Sequence, residues 1–157
     1  MDYVIRPLTA ADEPLLWEML YHGIHHVGPD APSLDIVHQP QFARYVAGWG
    51  RHGDSGFVAH DSGQPKPLGA VWFRLPDDQS PADIAKGVPE LAFAVRPEHR
   101  RRGIGAALLT YLVKADPECS AVSIRVSPDN PAVRLYERFG FKVVDKGPPS
   151  VLMRRDL

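Results

Sequence analysis

Cysteine is nearly absent from this 157-residue chain: Cys119 stands alone, so no disulfide can close within it, which suits a reducing compartment. Its neighbours Pro117, Glu118 and Ser120 carry no positive charge that would stabilise a thiolate, and a structural or incidental role is expected of it. An excess of one charge is missing as well. The 18 Lys and Arg residues against 19 Asp and Glu leave a formal net charge of -1, which gives no global field for nucleic acid or an anionic membrane. No apolar run approaches the ~20 residues that cross a bilayer. Met1-Asp2-Tyr3-Val4 has neither the charged nor the apolar stretch of a signal peptide, so a cytoplasmic protein is expected. Repeats, low-complexity tracts and interdomain linkers are also missing, and the length suits one domain over residues 1–157.

What is present is the composition of a folded domain, with 44% hydrophobic and 24% charged residues. The 16 prolines fall mostly between periodic segments and imply short elements separated by stiff loops. Val4 to Arg6 reads as a first strand ended by Pro7, and Thr9 with Asp12 and Glu13 as a helix start. Leu15, Leu16, Met19, Leu20 and Ile24 follow at helical spacing. A second helix is expected from Pro40, with Phe42, Tyr45, Val46 and Trp49 on one face. Gly56 to Asp61 and Leu68 to Leu75 form a hairpin-like pair of strands, and a polar loop from Pro76 to Gly87 precedes a third run, Glu90 to Val95. A helix from Gly103 places Ile104, Ala107, Leu108, Tyr111 and Leu112 on one face. Val122 to Val126 reads as a strand, Ala132 to Arg138 as a short helix, and Phe141 to Val144 and Val151 to Met153 as the last strands. Strands alternating with helices imply an α/β sheet with at least one parallel pair.

The segment from Glu90 to Ala106 carries the chemistry: a strand, a polar turn with Gly103 and Gly105, then an amphipathic helix. Such a helix start aims unpaired backbone N–H groups at one point where the dipole favours negative charge. Glycines admit close approach of a phosphate and the adjacent arginines add positive charge, so a pyrophosphate is the natural ligand. A P-loop would need Gly-Lys-Ser/Thr where Gly105 is followed by Ala106 and Ala107. A dinucleotide fingerprint would need Gly or Ala where Leu108 stands, and would come early in the chain. These residues by themselves also admit a plain helix start beneath solvated arginines.

Arg100-x-x-Gly103-x-Gly105-Ala106, preceded by Val95-Arg96-Pro97-Glu98, resembles the Gln/Arg-x-x-Gly-x-Gly/Ala pattern of the GNAT superfamily of N-acetyltransferases. Asn130-Pro131-Ala132-Val133-Arg134-Leu135-Tyr136-Glu137-Arg138-Phe139-Gly140-Phe141 is similar to that family's second hallmark, Asn-x-x-x-x-Leu-Tyr-x-x-x-Gly-Phe. The resemblance implies a mixed, mostly antiparallel central sheet with a splayed parallel pair, helices on both faces, and acetyl-CoA as cosubstrate for an amine acceptor. By the same resemblance, Phe93, Ala94 and Val95 offer backbone groups to the pantetheine arm. Arg100, Arg101, Arg102, Gly103, Ile104, Gly105 and Ala106 surround the pyrophosphate. Asn130 matches the family's cofactor-contacting Asn, with Asp129 as the alternative if the loop shifts by one residue. Tyr136 falls where many members hold the tyrosine that protonates the departing thiolate, and a phenol of pKa ~10 is protonated at neutral pH. Glu90 resembles the strand glutamate some members use as general base; its other reading is a strand-end carboxylate. Homodimers are common in the superfamily and are admitted here.

Other signals are set aside. His22 and His26 share a helix face at i, i+4 and His25 lies between them, but no third ligand accompanies them and no metal is expected. Arg100 to Arg102 lack interleaved aromatics, so no nucleic acid is expected. Asp77, Asp78 and Asp83 read as a solvated loop or as an attraction for a cationic amine. Three functions compete: an acetyltransferase, a CoA-binding regulatory domain without turnover, and a nucleotide-binding module using the Gly103–Gly105 turn. The acceptor amine is not legible, whether metabolite, drug, peptide N-terminus or lysine.

Overall fold

Period-two alternation along the apolar segments lets each strand bury one set of side chains on either face, and the segments pair into one seven-stranded sheet of order β1-β2-β3-β4-β5-β7-β6. The computed structural model describes residues 3–23, 33–51, 54–63, 66–74, 89–96, 99, 103–114, 121–146 and 151–156. The strands are β1 (Tyr3–Pro7), β2 (Ser55–Asp61), β3 (Pro67–Arg74), β4 (Glu90–Val95), β5 (Ala121–Val126), β6 (Lys142–Lys146) and β7 (Val151–Asp156). Among the described residues the helices are α1 (Glu13–Gly23), α2 (Pro40–Ala43), α3 (Ile104–Lys114) and α4 (Ala132–Arg138), with short 3-10 turns at Ala10–Asp12 and Leu34–His38. Every neighbouring pair of strands is antiparallel except β4 and β5, which run parallel on either side of α3 in sequence. The mixed sheet with one parallel pair is the architecture implied by the sequence.

The two faces bury separate clusters. On one, Leu91 and Val95 of β4 meet Ile104, Leu108, Leu109 and Leu112 of α3, Ile124 of β5, Met153 of β7 and Tyr136 of α4. On the other, Val58, Ala70, Trp72 and Ala94 meet Leu16, Met19 and Leu20 of α1 with Val37, Val46 and Trp49. Odd and even positions of β4 therefore serve opposite faces. The α3 stripe differs from expectation by one position: Leu109 is buried while Tyr111 is 48% exposed and sets its ring edgewise against Phe57 at 5.7 Å. Leu109 lies just outside the expected stripe, beyond Leu112, so the buried arc of the helix is rotated toward it and away from Tyr111.

The N-terminal entry to α1 is tied as its residue types suggest. Both the amide and the hydroxyl of Thr9 donate to Asp12, at 2.7 and 3.2 Å, and Arg6 grips the same carboxylate with two bonds of 2.9 Å. That guanidinium holds the Asp12 carboxyl below the usual carboxylate range.

The expected second helix is shorter than its apolar spacing implied. After one turn at Pro40–Ala43 the chain tightens: Tyr45 N–H bonds to Phe42 O at 3.1 Å and Val46 N–H to Ala43 O at 3.0 Å. Gly48 and Gly50 follow in left-handed geometry, with φ of 71° and 108°. The buried guanidinium of Arg74 explains the change, because it donates to the carbonyls of Ala47 at 2.9 Å and Arg44 at 3.4 Å. It also holds Asp54 through Nε at 3.2 Å and Nη2 at 3.1 Å. Val46 and Trp49 still reach the core, and the Trp49 indole donates to Thr9 O at 3.0 Å.

Candidate functional site

Parallel strands joined in regular register would close the centre of this sheet, yet β4 and β5 share one register pair, Glu90 with Ser123. The Ser123 amide donates to Pro89 O at 3.0 Å, while the Arg96 amide turns the other way and donates to Leu68 O at 2.9 Å. Alternation thus sets the backbone groups of Leu91 and Phe93 on the β5 side, along a stretch where that strand has diverged. Beyond Glu90 the sheet is splayed, and the N-terminus of α3 begins just past the far end of β4.

Two glycines start that helix for different reasons. Gly103 has φ of 80° with open space where a side chain would point, so the position needs left-handed backbone and leaves room beside it. Gly105 needs space: a Cβ there would lie 2.7 Å from the Phe93 ring. The close approach expected of phosphate at Gly105 is, on its Cβ side, taken by that ring. Ile104 is buried and Ala106 half-buried, while Arg100, Arg101 and Arg102 lie outside the described residues. Asp77, Asp78 and Asp83, with His25 and His26, also lie outside them.

The second motif is a helix with both ends specified. Asn130 Oδ1 accepts from the Ala132 amide at 2.9 Å, a side-chain cap with Pro131 in the first turn. Asp129 is engaged elsewhere, accepting from the Ser127 hydroxyl. At the other end Phe141 N–H bonds to Tyr136 O and Gly140 N–H to Glu137 O, both at 3.0 Å, with Gly140 at φ 90°. This is a Schellman stop, and the Tyr136–Phe141 ring contact at 5.8 Å is its hydrophobic seal. The Tyr-x-x-x-Gly-Phe spacing is therefore a helix-ending signal as well as a motif.

That geometry fixes Tyr136, which is 3% exposed and stands edge to face with Phe93 at 5.8 Å and 79°. Phe93, Gly105 and Tyr136 are thus brought together on the α3–α4 side of the splay. Burial pushes the Tyr136 hydroxyl well up from the usual phenol value, and no described residue hydrogen-bonds to it.

Glu90 opens β4, and its side chain belongs with the even positions, on the α1–α2 side and away from Tyr136. It is buried, and each carboxylate oxygen faces a guanidinium: Arg44 Nη2 at 2.7 Å and Arg125 Nε at 3.2 Å. The Arg44 guanidinium also lies over the Tyr45 ring at 4.6 Å and donates to its hydroxyl at 3.1 Å. Burial, then the neighbouring Glu90 charge, push the Tyr45 hydroxyl up. Arg44, Tyr45 and Arg125 were not legible as site residues. The one available signal was Arg125 itself, a charge on the face opposite Val122, Ile124 and Val126. Among the described residues no three His, Cys, Asp or Glu side chains converge as metal ligands would, and no described helix is long and apolar enough to cross a membrane.

Residues 17–141 match the model of the Acetyltransferase (GNAT) family. No curated protein matches the chain. Solved structures share its fold at low identity. A GCN5-related N-acetyltransferase from Kribbella flavida is 20% identical with a TM-score of 0.68, covering 99% of this chain and 98% of its own. Arabidopsis thaliana NAA60 in complex with acetyl-CoA is 22% identical with a TM-score of 0.64, covering 99% of each chain. A ribosomal-protein-alanine N-acetyltransferase from Brucella melitensis is 22% identical with a TM-score of 0.65, covering 98% of this chain and 99% of its own.

Proposed function

The chain belongs to the GNAT acetyltransferase family, and on that premise we propose that it is an enzyme, a single cytoplasmic domain transferring the acetyl group of acetyl-CoA directly to a primary amine. The observation that carries this reading is the splay between β4 and β5 beside a helix N-terminus with open space at Gly103. An extended pantetheine arm suits the backbone groups of Phe93 and Val95 on diverged β4, those of Ala94 being turned toward β3, and an anionic pyrophosphate suits Arg100 to Ala106. The NAA60 structure with acetyl-CoA lends the same fold a bound example. Asn130, its Oδ1 spent on the helix cap, has its amide nitrogen for the cofactor. Tyr136 serves as the acid for the leaving sulfur, since its raised phenol stays protonated throughout the neutral range. Glu90 serves as the base for the incoming amine. Transfer is direct because no described thiol or activated hydroxyl stands at the splay to form an acyl intermediate.

The test of cofactor choice is thermal. Acetyl-CoA should raise the melting temperature more than ATP or NAD, and Gly103→Asp should abolish that shift by placing a charge and a strained backbone where phosphate is to sit. Stabilisation by ATP with none by acetyl-CoA would replace this reading with a nucleotide-binding one.

The double pairing of Glu90 favours a second reading, a CoA-binding domain without turnover, because a base must release a lone pair to take a proton. Amine-dependent release of free thiol separates the two. If Glu90 is the base, Glu90→Gln lowers turnover and removes the acidic limb of the pH–rate profile with acetyl-CoA affinity nearly unchanged. An unaltered profile makes Glu90 a structural anchor for Arg44 and Arg125.

A further inference from the structure

Register places a row of side chains across the C-terminal half of the sheet on one face. Ser123 of β5 lies opposite Arg154 of β7, which lies opposite Lys142 of β6, and Glu90 of β4 lies opposite Ser123. Arg125, two residues along β5, shares this face, because Val122, Ile124 and Val126 are buried on the other. The face is open: the Arg125 side chain is 50% exposed, that of Arg154 40%, and Lys142 is exposed. Arg125 spends its Nε on Glu90, and among the described residues its terminal nitrogens meet no carboxylate. Arg154 turns its Nε to Asp156, whose side chain is 81% exposed. Arg44, the residue after α2, approaches the Glu90 carboxylate from the other side. The buried negative charge of Glu90 is therefore met by two guanidinium groups, and outward on the same face Arg154 and Lys142 lie on β7 and β6, with Asp156 paired to Arg154 and Asp145 set opposite Leu152.

We propose that this basic face selects the acceptor: the amine is carried by a molecule that also bears a carboxylate, held by Arg125 and Arg154 while the amine reaches Glu90. The inference rests on the acetyltransferase reading and narrows its substrate class. A polyamine or other polycation would meet like charge along the path, whereas a carboxylate meets two forks suited to it. An amino-acid-like metabolite and an acidic peptide N-terminus share this chemistry.

The experiment compares kcat/KM for γ-aminobutyrate, n-butylamine and putrescine, and for an Ala-Asp-Glu peptide beside Ala-Asn-Gln and Ala-Lys-Lys peptides. The carboxylate-bearing member should lead its set by about tenfold at low salt, the lead shrinking as ionic strength rises. A lead among the small amines alone identifies the metabolite source, and one among the peptides alone the peptide source. In Arg125→Gln and in Arg154→Gln the ratio between acidic and neutral acceptors should collapse toward one, chiefly through KM. Arg154→Glu should turn the preference toward putrescine or the Ala-Lys-Lys peptide. Faster turnover of the cationic member by the unmodified protein, or a ratio untouched by all three substitutions, overturns the proposal and leaves the acetyltransferase reading standing. If no amine releases thiol, that reading falls instead, and the charge preference is read from thermal shifts with the same amines, where equal shifts across a set overturn it.

Discussion

Tyr136→Phe should fold normally, bind acetyl-CoA with nearly unchanged affinity, and lose about 10²-fold or more in turnover, the range expected for a positioned general acid. The substitution keeps the ring that packs edge to face on Phe93 and seals the Schellman stop against Phe141, so stability has little reason to change. It removes one hydroxyl, which makes no hydrogen bond with a described residue and so leaves no buried partner unsatisfied. Because burial raises the phenol rather than lowering it, the unmodified protein should show no alkaline limb from Tyr136 at neutral pH. Steady-state rates beside the melting temperature and acetyl-CoA affinity make the check. A folded, cofactor-binding variant with full turnover would falsify the acid role, and Tyr136→Ala would then show the ring's packing alone through lost stability.

The largest effect on stability is expected at Asp54→Ala. The side chains of Arg74 and Asp54 are 2% and 3% exposed, and the carboxylate also accepts from the amides of Gly50 and Arg51 at 3.1 and 3.0 Å. Removing it strands a buried guanidinium, which costs about 3–5 kcal/mol, equivalent to a fall of about 10 °C in melting temperature for a chain of this size. The segment so released carries Arg44, the partner of Glu90, so the KM for the amine should rise in the same variant. An apolar pair, Asp54→Leu with Arg74→Met, should recover much of the stability, since no buried charge is then left alone. A melting temperature within about 2 °C of the unmodified protein for Asp54→Ala would show that the pair does not anchor this segment.

Local periodicity and punctuation were enough to read most elements. Glu90–Val95 and Ala132–Arg138 carry the bounds their spacing implied, because apolar alternation in one and an Asn-Pro start with a Gly-Phe stop in the other are written within a few residues. The helix expected through Trp49 is ended within its own segment by Gly48 in left-handed geometry, and from outside that segment by Arg74. Arg74 lies well downstream, and only the folded sheet brings its guanidinium to the carbonyls of Ala47 and Arg44. The site divides the same way. Gly103, Gly105, Asn130 and Tyr136 sit in motifs whose spacing is local, whereas Arg44 and Arg125 meet Glu90 from 46 and 35 positions away. Even Gly105 was half legible: its smallness was plain, but the ring of Phe93 that requires it became visible only with β4 laid against α3.

The Phe93 ring has a consequence for binding. Zipping β5 further onto β4 would satisfy more backbone, so an open splay needs something that keeps the strands apart. Phe93 stands against Gly105 of α3 and edge to face with Tyr136 of α4, the helix that follows β5, so drawing β5 closer would press that helix onto the ring. The opening is thus a product of core packing, set when the chain folds and present before any ligand arrives. A molecule entering it finds donors already aimed and meets little reorganisation, so its affinity reflects contacts made rather than structure rebuilt.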